Sequence, residues 1–281
     1  MLRIGGHVIF SRTNVDLTFQ RAKAIGANTV QIFGASPAQW RAPLPELEQA
    51  KKFKTLAKQY HVKPIFLHAP YLINLASPKP QLAAMSRSLL AKHLAIANEL
   101  GAEGVIFHIG TRGEQDERTA EHKVADALSH IFDEIKEGKL LIENTAGAGN
   151  LVGATLDEIG RIIKGVDNLR LGVCYDTAHG FESGVLTHFS VEDVEKFVKD
   201  FDKHIGIKRL WAIHANDSKT PANSNRDRHE NIGKGYIGAD AFKTLLHNKA
   251  LRAVPFILEV PGFDGGGPDK KNIDTLRKLA G

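Results

Sequence analysis

The chain alternates, eight times over, between a short apolar run and an amphipathic helical stretch, and that alternation limits the fold more than any other feature of its 281 residues. Runs at 4–8, 29–33, 64–68, 104–108, 139–143, 171–176, 209–214 and 255–259 have the length and apolar content of buried strands. Stretches at 15–25, 47–60, 81–100, 116–136, 155–163, 191–204, 239–247 and 270–279 carry apolar residues at helical spacing. Gly26 and Gly101 stand just past two of these stretches, where a left-handed helix cap is expected. Eight βα units in about 250 residues are the arithmetic of an α/β fold, a single (β/α)8 TIM barrel spanning 1–281. A doubly wound sheet has the same periodicity and stays open as an alternative. The Gly-rich run 264–268 reads as a loop, since it lacks the spacing of a strand-to-helix phosphate fingerprint.

The last residue of each run from the third onward is His68, His108, Glu143, Asp176, His214 or Glu259. Side chains alternate along a strand, so the residue two positions earlier points the same way, one layer deeper in the barrel. Those residues are Phe66, Ile106, Leu141, Cys174, Ala212 and Ile257, all apolar or small. The expected interior is a packed plug capped, at the end where active sites of this fold sit, by a ring of imidazoles and carboxylates. Taken singly, each ring member is as readily a hydrogen-bonded core group. Taken together, without matching Lys or Arg, they would be costly to bury unless cations compensate.

Three more candidate ligands lie just beyond strand ends: His179, in Asp176-Thr177-Ala178-His179, and the pair Asp227-Arg228-His229. An Asp-x-His pair on extended backbone puts both side chains on one face. The nine residues offer nitrogen and oxygen donors and no sulfur, which suits Zn²⁺ or Mn²⁺. They are too many for one or two tetrahedral ions, so three sites fit better. Three divalent ions outweigh the four carboxylates, and such a centre attracts phosphate.

Composition excludes several classes. One cysteine, Cys174, rules out a disulfide framework within the chain and a thiolate zinc finger, and it fits a reducing compartment. No apolar run approaches the roughly 18 residues needed to span a bilayer, and the first residues resemble a strand more than a signal peptide. A cytoplasmic protein without a membrane partner is expected, as a monomer. The net charge of +5 is compatible with a polyanionic partner, although Lys and Arg are spread along the chain.

Several segments together resemble the endonuclease IV family, the zinc-dependent class of apurinic/apyrimidinic endonucleases. They are His68-Ala69-Pro70-Tyr71-Leu72-Ile73-Asn74-Leu75-Ala76, Gly172-Val173-Cys174-Tyr175-Asp176-Thr177-Ala178-His179, and His214-Ala215-Asn216-Asp217-Ser218-Lys219 with Asp227-Arg228-His229. Ile142-Glu143-Asn144-Thr145-Ala146-Gly147 and Ile4-Gly5-Gly6-His7-Val8 are similar to further family segments, so the likeness runs through nearly the whole chain. The resemblance implies a DNA-repair hydrolase that cuts the phosphodiester 5′ to an abasic site in duplex DNA, leaving a 3′-OH. It implies three zinc ions and a metal-bridging hydroxide as nucleophile. Under it, His68, His108 and Glu143 hold one ion; Glu143, Asp176, His214 and Glu259 the second; His179, Asp227 and His229 the third. Glu143 and Glu259 are then the catalytic carboxylates, the first bridging and the second orienting the nucleophile.

The same resemblance makes Gln39, Tyr71, Lys219, Arg226 and Arg228 candidate DNA contacts, with the Tyr71 ring a wedge for the base stack and the cations on phosphates. His7 has two readings, support behind the ligands or core packing. Family members commonly carry an Arg shortly before the Trp of the second βα loop; this chain has Ala38, in Ala38-Gln39-Trp40-Arg41. Its first loop, Val8-Ile9-Phe10-Ser11-Arg12, lacks the usual Gly-rich sequence, and Ala178 replaces a usual Cys. Arg12 and Arg41 are the nearby cations that can substitute. The rival reading is a single-metal TIM-barrel sugar isomerase or epimerase using Glu143, Asp176, His214 and Glu259. It leaves His68, His108, His179, Asp227 and His229 without work. A lesion-binding protein that does not cut would be missing a ligand, and none is missing.

Overall fold

The computed structural model describes residues 2–281. Eight parallel strands close into a barrel: β1 (Ile4–His7), β2 (Val30–Phe33), β3 (Ile65–His68), β4 (Gly104–Phe107), β5 (Leu140–Glu143), β6 (Leu171–Asp176), β7 (Leu210–His214) and, last, β10 (Phe256–Leu258). Closure comes from β1, which pairs with β2 on one side and β10 on the other. Of the two architectures with this periodicity, the chain adopts the TIM barrel. The ring of helices is α1 (Val15–Ile25), α2 (Leu47–Gln59), α3 (Pro80–Leu100), α4 (Glu117–Glu134), α5 (Leu156–Val166), α7 (Val191–His204), α8 (Ala239–His247) and α9 (Lys270–Ala280). Elements beyond the expected sixteen include a short helix α6 (Thr177–Glu182) directly after β6, and a hairpin of two-residue strands, β8 (Asp217–Ser218) with β9 (His229–Glu230).

Helix ends follow local chemistry. Gly26 and Gly101 adopt φ of 78° and 68°, where their N–H groups close the last turns of α1 and α3. Asp116, Thr155 and Asp269 cap α4, α5 and α9 through their side chains, and Ser190 with Asp193 forms a capping box on α7. Among the described residues, no helix is long and apolar enough to cross a membrane.

The apolar core has two layers. The larger lies between strands and helices and includes Phe19, Phe53, Phe107, Phe201 and Phe242. The smaller is the barrel plug, and its buried members are Phe66, Ile106, Leu141, Cys174, Ala212 and Ile257, the six residues that strand alternation places there. Shielded by helices outside and this plug inside, the strands form a stiff frame whose C-terminal rim carries the polar residues.

Candidate metal centre

The rim residues converge. His68, Glu143, Asp176 and His214 end β3, β5, β6 and β7, while His108 and Glu259 stand one residue past the ends of β4 and β10. Glu143 is central: its Oε2 lies 3.0 Å from His68 Nε2 and 3.4 Å from His108 Nε2, and its Oε1 lies 2.8 Å from His214 Nδ1. Glu259 Oε2 approaches the same His214 Nδ1 at 3.2 Å, and Asp176 Oδ2 at 3.8 Å. From the outer side, Asp227 Oδ1 is 3.2 Å from His179 Nε2 and 3.5 Å from His229 Nε2.

These residues form three groups in which one donor atom per residue lies within 4.8 Å of every other: His68, His108, Glu143; Glu143, Asp176, His214, Glu259; and Asp176, His179, His229. Asp227 Oδ1, His179 Nε2 and His229 Nε2 also lie within 3.2–3.5 Å of one another, so the expected third set is brought together as well, with Asp176 beside it. Asp227 is on an exposed loop, with 57% of its side-chain surface open, and abuts both imidazoles from outside. Glu143 and Asp176 thus each join two groups, which makes one continuous centre of the three.

Local structure aims each donor. His68 Nδ1 pairs with Ala69 O at 2.7 Å and His179 Nδ1 with Asn144 O at 2.9 Å, so both rings turn Nε2 inward. Asp176 Oδ1 accepts the His179 N–H at 2.8 Å and so caps α6, leaving Oδ2 for the centre. Asn216 donates to that Oδ2 at 2.6 Å and accepts the Glu259 N–H at 2.8 Å, tying β6 to the end of β10. Asn144 exchanges hydrogen bonds with the Asp176 backbone. The segment after His229 is held by Asp217, whose buried carboxylate accepts N–H groups of Gly233, Gly235 and Ile237 at 2.9–3.0 Å, and the loop bearing Asp227 is closed by the Lys219 N–H donating to Arg228 O. Gly235 is required there: a Cβ would stand 2.2 Å from Ser218 O and 2.5 Å from Asp217 Oδ1.

The electrostatics fit divalent cations. Among the described residues, every ion pair made by Glu143, Asp176, Asp227 and Glu259 is to an imidazole, and none is to Lys or Arg. Burial alone would raise Glu143, yet His108 and His214 hold its carboxyl well below the usual range. Burial alone would lower His179, yet Asp176, Asp227 and Glu143 raise it well above the usual imidazole value. The carboxylates therefore draw protons onto His68, His179 and His214, whereas burial holds His108 below the usual imidazole value. Cations that bind to imidazole lone pairs displace such protons and balance the buried carboxylates at closer range. No ion is part of the structure; the nine donors, all nitrogen and oxygen, suit Zn²⁺ or Mn²⁺.

An open cavity of about 460 Å³ leads to the centre, lined by Phe33, Tyr71, His108, His179, Asp227, His229 and Glu259, with Gly265, Gly267 and Pro268 on its far wall. A larger cavity of about 550 Å³, between α2 and α3, opens at the other end of the barrel beside Pro64 and Ile65 and is lined by none of these ligand groups. Tyr71 is 67% exposed with its ring centroid 5.7 Å from that of His68, so it stands at the mouth. Gln39, Lys219, Arg226 and Arg228 are exposed. Arg12 donates to Pro43 O, bracing the first loop against the second, while Ala38 and Arg41 are exposed on the latter.

The residue that sequence reasoning missed is Gln31. It is buried in β2 beside His7, with its amide on His214, Glu259 and His7. A polar residue inside Val30-Gln31-Ile32 was the available signal. His7 does stand behind the ligands, through this same amide.

Residues 19–279 match the family model described as a xylose isomerase-like TIM barrel, which sets the class. Within that class, the chain is 36% identical over 269 residues to a probable endonuclease 4 of Petrotoga mobilis, covering 94% of this chain and 93% of the relative. It is 35% identical to the probable endonuclease 4 of Halothermothrix orenii over 99% of this chain and all of that one. The crystal structure of endonuclease IV from Thermus thermophilus superposes with a TM-score of 0.85 at 28% identity, over 99% of this chain and 98% of that one. The chain belongs to the endonuclease IV family.

Proposed function

We propose that this protein is a DNA-repair endonuclease that hydrolyses the phosphodiester 5′ to abasic sites in duplex DNA, leaving a 3′-OH, at a centre of three zinc ions. The observation that carries this reading is the sharing of Glu143 and Asp176 among three adjoining donor groups at the barrel mouth, in a chain of the endonuclease IV family. His68, His108 and Glu143 hold the first ion, and Glu143, Asp176, His214 and Glu259 the second. His179, His229 and Asp227 hold the third, with Asp176 close beside them. Bound divalent ions lower the pKa of water and neutralise charge that develops on a cleaved phosphate.

The chain's own residues do the rest. Glu143 presents one oxygen to each of two neighbouring groups and keeps them in fixed relation. Glu259, on the cavity wall, is the carboxylate that orients the attacking water. Tyr71 offers an exposed ring to the gap in the base stack, and Gln39, Lys219, Arg226 and Arg228 contact the strands around it. A single-metal isomerase would use the central group alone and leave five imidazoles or carboxylates around it with no task.

Glu143→Gln tests the reading, since it keeps the shape and removes the shared charge. Nicking of an abasic duplex should fall by more than the roughly 10–100-fold that loss of an outer partner costs, with the circular dichroism spectrum unchanged. Wild-type turnover in this variant would remove Glu143 from the chemistry.

A further inference from the structure

Gln31 lies in β2 with no exposed surface, and it makes three polar contacts. Its Nε2 is 2.5 Å from Glu259 Oε1 and 3.1 Å from His7 Nδ1, and its Oε1 is 2.7 Å from His214 Nε2. An amide's two ends differ, and the ionised carboxylate decides which end goes where. Glu259 only accepts, so it takes the NH₂ end, and the carbonyl oxygen is left for His214. That oxygen also only accepts, so His214 Nε2 must carry a proton. The ring nitrogen free to offer its lone pair to a cation is therefore Nδ1, the atom 2.8 Å from Glu143 Oε1 and 3.2 Å from Glu259 Oε2. The same amide engages Glu259 through Oε1, which turns Oε2 toward the centre. His7 Nδ1 accepts the second amide hydrogen and stops the amide from flipping.

We propose that Gln31 is a positioning residue that selects the His214 tautomer and the Glu259 oxygen presented to the central ion. The inference rests on the metal-centre reading above and adds to it a residue outside the nine ligands. Its position explains why a strand otherwise made of apolar residues carries an amide at an interior place: burying one without partners is costly, and here every side-chain polar atom is matched.

Gln31→Met fills nearly the same volume but neither donates nor accepts. The test compares zinc-loaded wild type and variant in three readouts: zinc retained against a competing chelator, kcat and KM on an abasic duplex, and thermal melting of the zinc-free forms. Gln31→Met should release one of its ions about 10–100-fold more readily and lose kcat with KM unchanged, and its zinc-free melt should fall modestly because the buried His214 Nε2–H and Glu259 Oε1 lose their partner. Gln31→Glu, which keeps the acceptor but sets a like charge against Glu259, should release the ion in the same way and serves if the Met variant does not fold. Equal chelator resistance in either folded variant would overturn the inference while leaving the three-ion reading standing. A wild-type protein that takes up no zinc would overturn both.

Discussion

At the scale of single residues, the centre depends on which atom of each side chain faces inward. Backbone carbonyls hold Nδ1 of His68 and His179, whereas Gln31 holds Nε2 of His214, so the rings enter by different nitrogens. Such control comes from neighbours in space and is only partly visible along the chain. The six rim donors that the structure brings together were legible because strand alternation placed an ionisable residue at each rim position above an apolar one. Gln31 was not, because the groups that give it meaning, His214 and Glu259, are 183 and 228 positions away. Outside the centre, Ala38 is an exposed residue where family members commonly carry Arg. Ala38→Arg should tighten binding to an abasic duplex by up to about tenfold at matched salt, with zinc content unchanged. Unchanged affinity would mean that the second loop does not reach the DNA.

At the scale of elements, the strands and long helices were readable from periodicity, and the small elements were not. Helix α6 spans six residues, too few for a periodic signal, and begins because Asp176 caps it with one oxygen while the other faces the centre. The β8–β9 hairpin pairs two residues with two through its backbone, while the Asp217 carboxylate gathers N–H groups from 233 to 238, just past it, and so fixes where β9 leads. Asp217 is not singled out along the chain; the fold shows its carboxylate turned to hold a loop. Asp217→Ala strands several buried donors, and each unsatisfied one costs about 1–3 kcal/mol. The variant should melt at a lower temperature and bind two zinc ions instead of three, because His229 is carried by the hairpin that Asp217 braces. Full zinc content with an unchanged melt would show that the hairpin holds itself.

At the scale of the whole molecule, periodicity could count eight βα units but could not show closure, which depends on β1 meeting β10 across some 250 residues. Closure brings residues from the ends of six strands, from helix α6 and from the β8–β9 hairpin to one mouth, where four carboxylates share space with five imidazoles. We propose that residues 1–281 form one domain around that mouth. The likeness to endonuclease 4 relatives, the shared carboxylates and the exposed Tyr71 support one account: a three-ion centre that cuts DNA at an abasic site. Metal content and cleavage measured on one purified sample test it most directly. The account predicts close to three zinc ions per chain and a nick 5′ to the abasic site that leaves a 3′-OH, lost when the ions are removed and regained when zinc is returned. A single ion per chain, with isomerase activity on ketoses and no nicking, would contradict it.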